Sequence, residues 1–380
     1  RGVVIVTDFI PVNEPLLNGN EKKYLNECID TGWISSEGLF VNSFENGMAE
    51  LVGREYAVSV TNGSSALDIA VTALDIKKGD EVIMPTFTII SCAASIVRAG
   101  ATPVLIDSDP ITWNMDTSKI EDKITNRTKA IMVVHIFGLP VDMTPILDLV
   151  EKYNLKLIED AAQAIGLKYK GKPCGSFGDI SVFSFYPNKN ITTGEGGMVL
   201  MNDQKLFDRC SSLRNLCFQS GKRFIHEEMG WNMRMSNIQA ALGVAQLERI
   251  DSTIEKKQWI GEKYHKLLGN VNGIELPLPS IEYAKNIYWI FGIVLDDNVP
   301  CDANKIMKLL AEKNIATRPF FWSMHEQPVF KNLGLFNGES YPVSERISRR
   351  GFYIPSGVAI SMKQIEIVSA SIAEVMKKYT

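Results

Sequence analysis

SVFSFYPNKNITTGEGGMVL, residues 181–200, is the stretch on which the reading of this chain turns. A β-branched and aromatic run halts at Pro187 and presents Lys189. It then passes through Thr192, Thr193 and a glycine-rich turn into a second apolar run. Strand, lysine and turn in that order suit a lysine held in a site rather than one in free solvent. Upstream, LKLIED at 155–160 predicts a buried strand ending on Asp160. A lysine able to bond a carbonyl and a carboxylate able to pair with a pyridinium nitrogen are what pyridoxal phosphate requires of a protein. An exposed turn lysine and a solvated strand-end acid are the plainer alternatives for each residue alone.

Working outward, apolar runs at 57–60, 81–84, 103–107, 130–134, 155–160 and 180–185 alternate with amphipathic segments. That rhythm predicts βαβ units and a mostly parallel sheet flanked by helices, with ligands beyond the carboxyl ends of the strands. Ser236 and Gln239 form a capping-box pattern and predict one long helix through Ile250 towards Leu267 and Leu268. LPLP at 276–279 breaks the pattern before a smaller α+β segment, placing a domain boundary near residue 255. The expected organisation is a large domain over 1–255 and a small C-terminal domain over 256–380.

The 380 residues are 45% hydrophobic, enough for a large core, and the net charge of −4 gives no basic footprint for nucleic acid. The six cysteines, Cys28, Cys92, Cys174, Cys210, Cys217 and Cys301, include no CxxC pair, and the four histidines are dispersed. No metal site is expected, and reduced thiols in a cytoplasmic protein are. No run of about 18 apolar residues predicts a membrane span.

Asn62, Gly63, Ser64 and Ser65 lie at a strand-to-helix junction, where free N–H groups favour a phosphate, although an ordinary N-cap has the same form. Gln163, a turn beyond Asp160, would lie near the cofactor's phenolic oxygen. Phe87, in PTFTI at 85–89, could stack on the ring or belong to the core. Lys189 would hold the cofactor covalently and, once displaced by an amino donor, move a proton between Cα and C4′. That task needs a neutral amine, hence a desolvated pocket. His135 and His325 could touch substrate or serve as hydrogen-bonded structural histidines. No GxGxxG and no P-loop occurs, which removes support for a dinucleotide-dependent reductase.

Together, TGWISS at 31–36, TNGSS at 61–65, EDAAQ at 159–163, TTGEGG at 192–197 and GWNMRMS at 230–236 resemble the DegT/DnrJ/EryC1/StrS sugar-nucleotide aminotransferases, nearly end to end. The resemblance implies a fold type I pyridoxal phosphate architecture and transfer of an amino group from L-glutamate to a nucleotide-linked keto sugar. It also implies a homodimer in which Asn232 reaches the other subunit's cofactor phosphate, while Ser184 binds the phosphate of its own. Trp33, Arg234 and His325 become candidates for the sugar-nucleotide cleft. Family members that dehydrate the sugar carry histidine where Lys189 stands, so amination is the implied reaction. The segments around Trp33, Lys189 and 232–251 are most similar to members acting on C4 of GDP-4-keto-6-deoxymannose, giving GDP-perosamine for a surface polysaccharide such as O-antigen. A UDP- or dTDP-linked 4-keto or 3-keto sugar is the alternative substrate, and a non-catalytic binding protein of the same fold the alternative class.

Overall fold

Period-2 alternation of buried side chains places both faces of a central sheet under cover. In the strand Thr128–Val134, Ala130, Met132 and Val134 enter one core cluster while Ile131 and Val133 enter a second. Such double burial belongs to a sheet with helices on both faces. The computed structural model describes residues 9–219, 221–222 and 224–379.

The large sheet contains β1 (Tyr56–Val60), β2 (Glu81–Pro85), β3 (Thr102–Ile106), β4 (Thr128–Val134) and β5 (Lys156–Asp160). After a small hairpin, β6 (Lys168–Tyr169) with β7 (Lys172–Pro173), it is completed by β8 (Ile180–Ser184) and β9 (Gly197–Met201). These seven strands run in the order β1-β9-β8-β5-β4-β2-β3. Only β9 is antiparallel to its neighbours, β1 and β8. The hairpin between β8 and β9 returns through the Lys189 loop, so the lysine hangs beyond the carboxyl end of β8.

Helices α1 (Glu21–Thr31), α2 (Leu39–Val52), α3 (Gly63–Ala73), α4 (Ile90–Arg98), α5 (Met143–Tyr153) and α6 (Gln204–Arg214) flank this sheet. Asn62, Asp142 and Asp203 cap α3, α5 and α6 by accepting backbone N–H groups. The long helix expected from Ser236 is two helices, α7 (Asn237–Leu247) and α8 (Ile250–Leu268). Its capping box forms as expected, but Arg249 leaves helical geometry at φ −119° and ψ 12°. Apolar periodicity continued across this corner because both helices bury a face, and periodicity does not register a change of axis.

A third core cluster gathers Tyr264 and Leu268 of α8 with Phe291, Ile293, Phe352 and Ile372, and also takes in Ile10 from the start of the chain. It surrounds a four-stranded sheet in the order β10-β13-β15-β14, made of β10 (Ile274–Glu275), β13 (Phe291–Leu295), β14 (Arg318–Pro319) and β15 (Gly351–Ile354), with β11 (Ser280–Ile281) and β12 (Ala284–Lys285) as a separate hairpin. Helices α9 (Ala303–Ala311), α10 (Pro328–Asn332), α11 (Pro342–Arg350) and α12 (Met362–Met376) complete this part. Among the described residues no helix is long and apolar enough to cross a membrane.

Candidate active site

Adjacent carboxylates at the end of β5 part company by strand alternation. Glu159 shares a face with Leu157 and turns towards His135, whereas Asp160 shares a face with Ile158 and turns towards α3 and α4. In the neighbouring strand, Val182 pairs with Asp160, and Ser184 lies on the same face as Val182. Asp160, Ser184 and the amino end of α3 therefore meet on one side of the sheet. With Gly63, Ser64, Gln163 and Lys189 they line one cavity of about 590 Å³.

Asn62 Oδ1 accepts the Ser65 N–H at 2.8 Å, capping α3. The N–H groups of Gly63 and Ser64, in the first turn, have no helical acceptor, and both residues line the cavity, an arrangement suited to an anion. Gly63 is required sterically: a Cβ there would stand 2.8 Å from Ser184 Cβ. Ser64 Oγ is 2.7 Å from Ser91 Oγ, another lining residue.

Lys189 sits in a tight turn, its N–H donating to the Tyr186 carbonyl at 2.9 Å. The flanking backbone is tied down at both sides. Asn13 Nδ2 donates to Pro187 O at 3.0 Å, and Trp289 Nε1 donates to Asn188 O at 2.8 Å. The ammonium lies 3.7 Å from the centroid of the Trp289 ring. Part of the side chain remains open to the cavity, yet burial dominates and lowers its pKa to about 7, against the opposing pull of Asp160. A lysine so placed supplies a neutral amine near neutral pH.

Burial acts on Asp160 in the opposite sense and raises its pKa, while the Ala162 N–H, the Cys92 thiol and the Lys189 charge favour the carboxylate. Oδ1 accepts the Ala162 N–H at 3.0 Å, and Oδ2 lies 3.2 Å from Cys92 Sγ. Gln163 Oε1 accepts the Phe137 N–H at 2.8 Å. That bond orients the amide so that its NH₂ group is the free donor.

The other expected site residues lie elsewhere. Phe87 is wholly buried, edge to face with Phe137 at 5.8 Å, and does not line the cavity. Two residues on, Ile89 does, so the ring expected to stack has become core and an aliphatic side chain takes the wall. His325 is buried away from the cavity: Nδ1 is 2.9 Å from Thr86 Oγ1 and Nε2 is 3.0 Å from Glu345 Oε1. With both ring nitrogens occupied it serves as a structural histidine. Trp33 is 56% exposed outside the cavity, and Arg234 bonds the Asn215 side chain. Asn232, also exposed, forms an isolated bridge to Asn215 and does not line this cavity. The wall instead includes Phe137, Tyr186, Trp289, Phe321 and Tyr353. Phe137 was findable, since it follows the end of β4, but the residues from the smaller unit carry no local signal.

His135, Glu159 and Cys174 bring their polar atoms within 4.8 Å of one another. The Val141 N–H donates to His135 Nδ1 at 3.2 Å, leaving the Nε2 proton for Glu159 at 3.0 Å. Glu159 also accepts N–H groups from Gly175, Phe177 and Gly178. These donors hold its pKa down despite burial. Hydrogen bonds thus fill the carboxylate, and the cluster anchors the strand ends.

An anion seat, a shielded carboxylate, a free amide donor and a desolvated lysine around one cavity fit pyridoxal phosphate. The similarity to known proteins agrees. Over 366 residues the chain is 43% identical to the GDP-perosamine synthase of Escherichia coli O157:H7, covering 96% of this chain and 98% of that protein. It is 41% identical to the GDP-perosamine synthase of Vibrio cholerae, covering 94% and 96%. The crystal structure of an aminotransferase, TlmJ, from Streptoalloteichus hindustanus superposes with a TM-score of 0.90 at 27% identity, covering 97% of this chain and 99% of that one. Residues 15–373 match the DegT/DnrJ/EryC1/StrS aminotransferase family, so the chain belongs to that family of pyridoxal phosphate-dependent transaminases.

Proposed function

We propose that this enzyme transfers an amino group from L-glutamate to C4 of GDP-4-keto-6-deoxymannose, producing GDP-perosamine for a surface polysaccharide. The similarity to the two GDP-perosamine synthases carries the choice of substrate. Pyridoxal phosphate, when bound, supplies the electron sink that lets a Cα–H bond break. The chain supplies the remaining parts. Gly63, Ser64 and Ser184 would hold the phosphate, Asp160 would keep the ring nitrogen protonated, and the Gln163 amide would donate to the phenolic oxygen. Lys189 Nζ would bond the cofactor at rest, take the donor's Cα proton once displaced, and return a proton to the product's C4.

A homodimer belongs to this reading. Exposed apolar side chains at Trp33, Ile34 and Leu39, and at Phe224, Ile225 and Met229, favour burial against a second copy. Asn232, outside its own chain's cavity, would serve the partner's cofactor phosphate, and Trp33 and Arg234 would approach the sugar nucleotide from that interface. We place the enzyme in the cytoplasm, where nucleotide sugars are made available. The division into domains 1–255 and 256–380 draws support from the third core cluster, which apart from Ile10 lies in the second part, while Trp289, Phe320 and Ile347 pack into a cluster of the first and α8 runs unbroken across the boundary.

The test is to load the protein with pyridoxal phosphate, convert it with glutamate, remove the excess, and offer keto sugars singly. Return of the visible absorbance of lysine-bound cofactor is the readout. Fastest return with GDP-4-keto-6-deoxymannose supports the proposal, and fastest return with a UDP- or dTDP-linked sugar rejects the substrate while keeping the chemistry.

A further inference from the structure

The cavity wall is poor in positive charge. Lys189 is its one cation among the described residues, against the carboxylates of Asp160 and Glu195. With the cofactor in place, Lys189 would be bonded to it and the α3 amino end would hold its phosphate. An anionic substrate entering such a cavity loses water and finds no free cation on the wall. A candidate is Arg318, next in the chain to the lining residue Pro319.

Arg318 stands directly opposite Tyr353 in the β14–β15 ladder, and cross-strand partners leave the same face of a sheet. Tyr353 lines the cavity, as do Pro319 and Phe321 on either side of the strand's end. The three polar groups there act on one another: burial raises the Tyr353 pKa, the Arg318 charge pulls it back, and Tyr186 pushes it up. The guanidinium is exposed, and its one hydrogen bond among the described residues is to the adjoining Thr317 carbonyl at 3.3 Å. Arg318 belongs to β14 of the smaller sheet, whereas Gly63, Ser64 and Ser184 belong to α3 and β8 of the large one.

We propose that Arg318, with the hydroxyls of Tyr353 and Tyr186, binds the anionic oxygen group of the incoming substrate, either a carboxylate of the amino donor or the diphosphate of the nucleotide sugar. The inference rests on the reading of the cavity as a transaminase site. A planar guanidinium suits both groups because it offers paired N–H donors.

The test compares full-length, cofactor-loaded wild type with Arg318→Gln and Arg318→Lys, substitutions at an exposed position that leave the core untouched. The two half-reactions are followed separately, one with L-glutamate and one with the keto sugar nucleotide. Calorimetric titration with 2-oxoglutarate and with GDP runs in parallel. Arg318→Gln is expected to weaken binding in one arm by about tenfold or more, the loss of a charge-assisted contact. Its limiting rate should stay near wild type, and Arg318→Lys should recover part of the affinity. A change confined to glutamate and 2-oxoglutarate assigns the donor carboxylate, and one confined to the sugar nucleotide and GDP assigns the diphosphate. Unchanged KM and affinity in both arms, or a wild type that binds neither titrant, overturns the proposal. A wild type that binds these ligands with dependence on Arg318, yet aminates no keto sugar, defeats the substrate reading and leaves the anion seat standing.

Discussion

Asp160 Oδ2 and Cys92 Sγ lie 3.2 Å apart, wholly buried, with the thiol donating to the carboxylate. Burial raises the pKa of both groups. The thiol therefore stays protonated and keeps donating, while its hydrogen bond favours the ionised form of Asp160. Cys92→Val removes that donor at nearly constant shape. Cofactor affinity should fall about fivefold, the worth of roughly 1 kcal/mol for one such bond. Cys92→Ser should restore it, and titration with pyridoxal phosphate monitored by absorbance decides the matter.

Lys189 titrates near pH 7 in its desolvated turn. Only the neutral amine can take a proton, and its fraction grows as pH rises through that value. Once glutamate has displaced it from the cofactor, the freed amine should therefore favour the half-reaction more as pH rises from 6 to 8. Lys189→Ala should abolish it, and Lys189→Arg should hold the charge without the base and remain inactive. A half-reaction measured by stopped-flow at several pH values provides the check.

Gly63→Ala sets a methyl group 2.8 Å from Ser184 Cβ. The first turn of α3 must retreat from β8, and the anion seat moves with it. Overpacking of this kind costs about 1–3 kcal/mol. Loss of at least tenfold in cofactor affinity is expected, with a smaller fall in melting temperature, and calorimetry on loaded and unloaded protein separates the two.

Lys257 offers a stability test away from the cavity. It is 2% exposed, its ammonium donates to the Ser356 carbonyl at 2.6 Å, and burial lowers its pKa to about 7. In the unfolded chain a lysine keeps its proton up to about pH 10.4. Between those values the unfolded state binds more protons, so stability rises with pH, by at most about 1.4 kcal/mol per pH unit for this group. Below pH 7 both states are charged and the cost of the buried ammonium is present in full. Lys257→Met should flatten the rise in melting temperature between pH 7 and 10, as thermal unfolding across that range will show.

Much of the architecture was legible before any coordinates. The apolar runs at 130–134, 155–160 and 180–185 announce buried strands, and the placement of Asp160 and Lys189 at carboxyl ends follows from that rhythm. Period-2 geometry turns Glu159 and Asp160 to opposite faces, but it took the register of β5 against β8, Asp160 opposite Val182, to put Ser184 on the face of Asp160. Residues 61–65 offered either a helix cap or a phosphate seat because turn chemistry, capping and the orphan N–H groups are all local, and the Asn62 cap forms. Local pattern could not show the corner at Arg249, which is a change of axis between two helices that both bury apolar faces.

What the chain determined by itself, then, is whatever depends on neighbours in sequence: the strands, the caps, and a lysine and a carboxylate at strand ends. Tertiary structure alone decided the rest. It drew Phe87 into an aromatic core and left Ile89 on the wall, closed His325 between Thr86 and Glu345, and set Cys92 beneath Asp160. It also carried Trp289 and Tyr353 from the smaller unit to the lysine's cavity. The physical reason is that burial and desolvation, which tune Lys189 and Asp160, are properties of the packed surroundings. Those surroundings are assembled from residues a hundred or more positions away along the chain, as with Trp289 and Asn188 at a separation of 101.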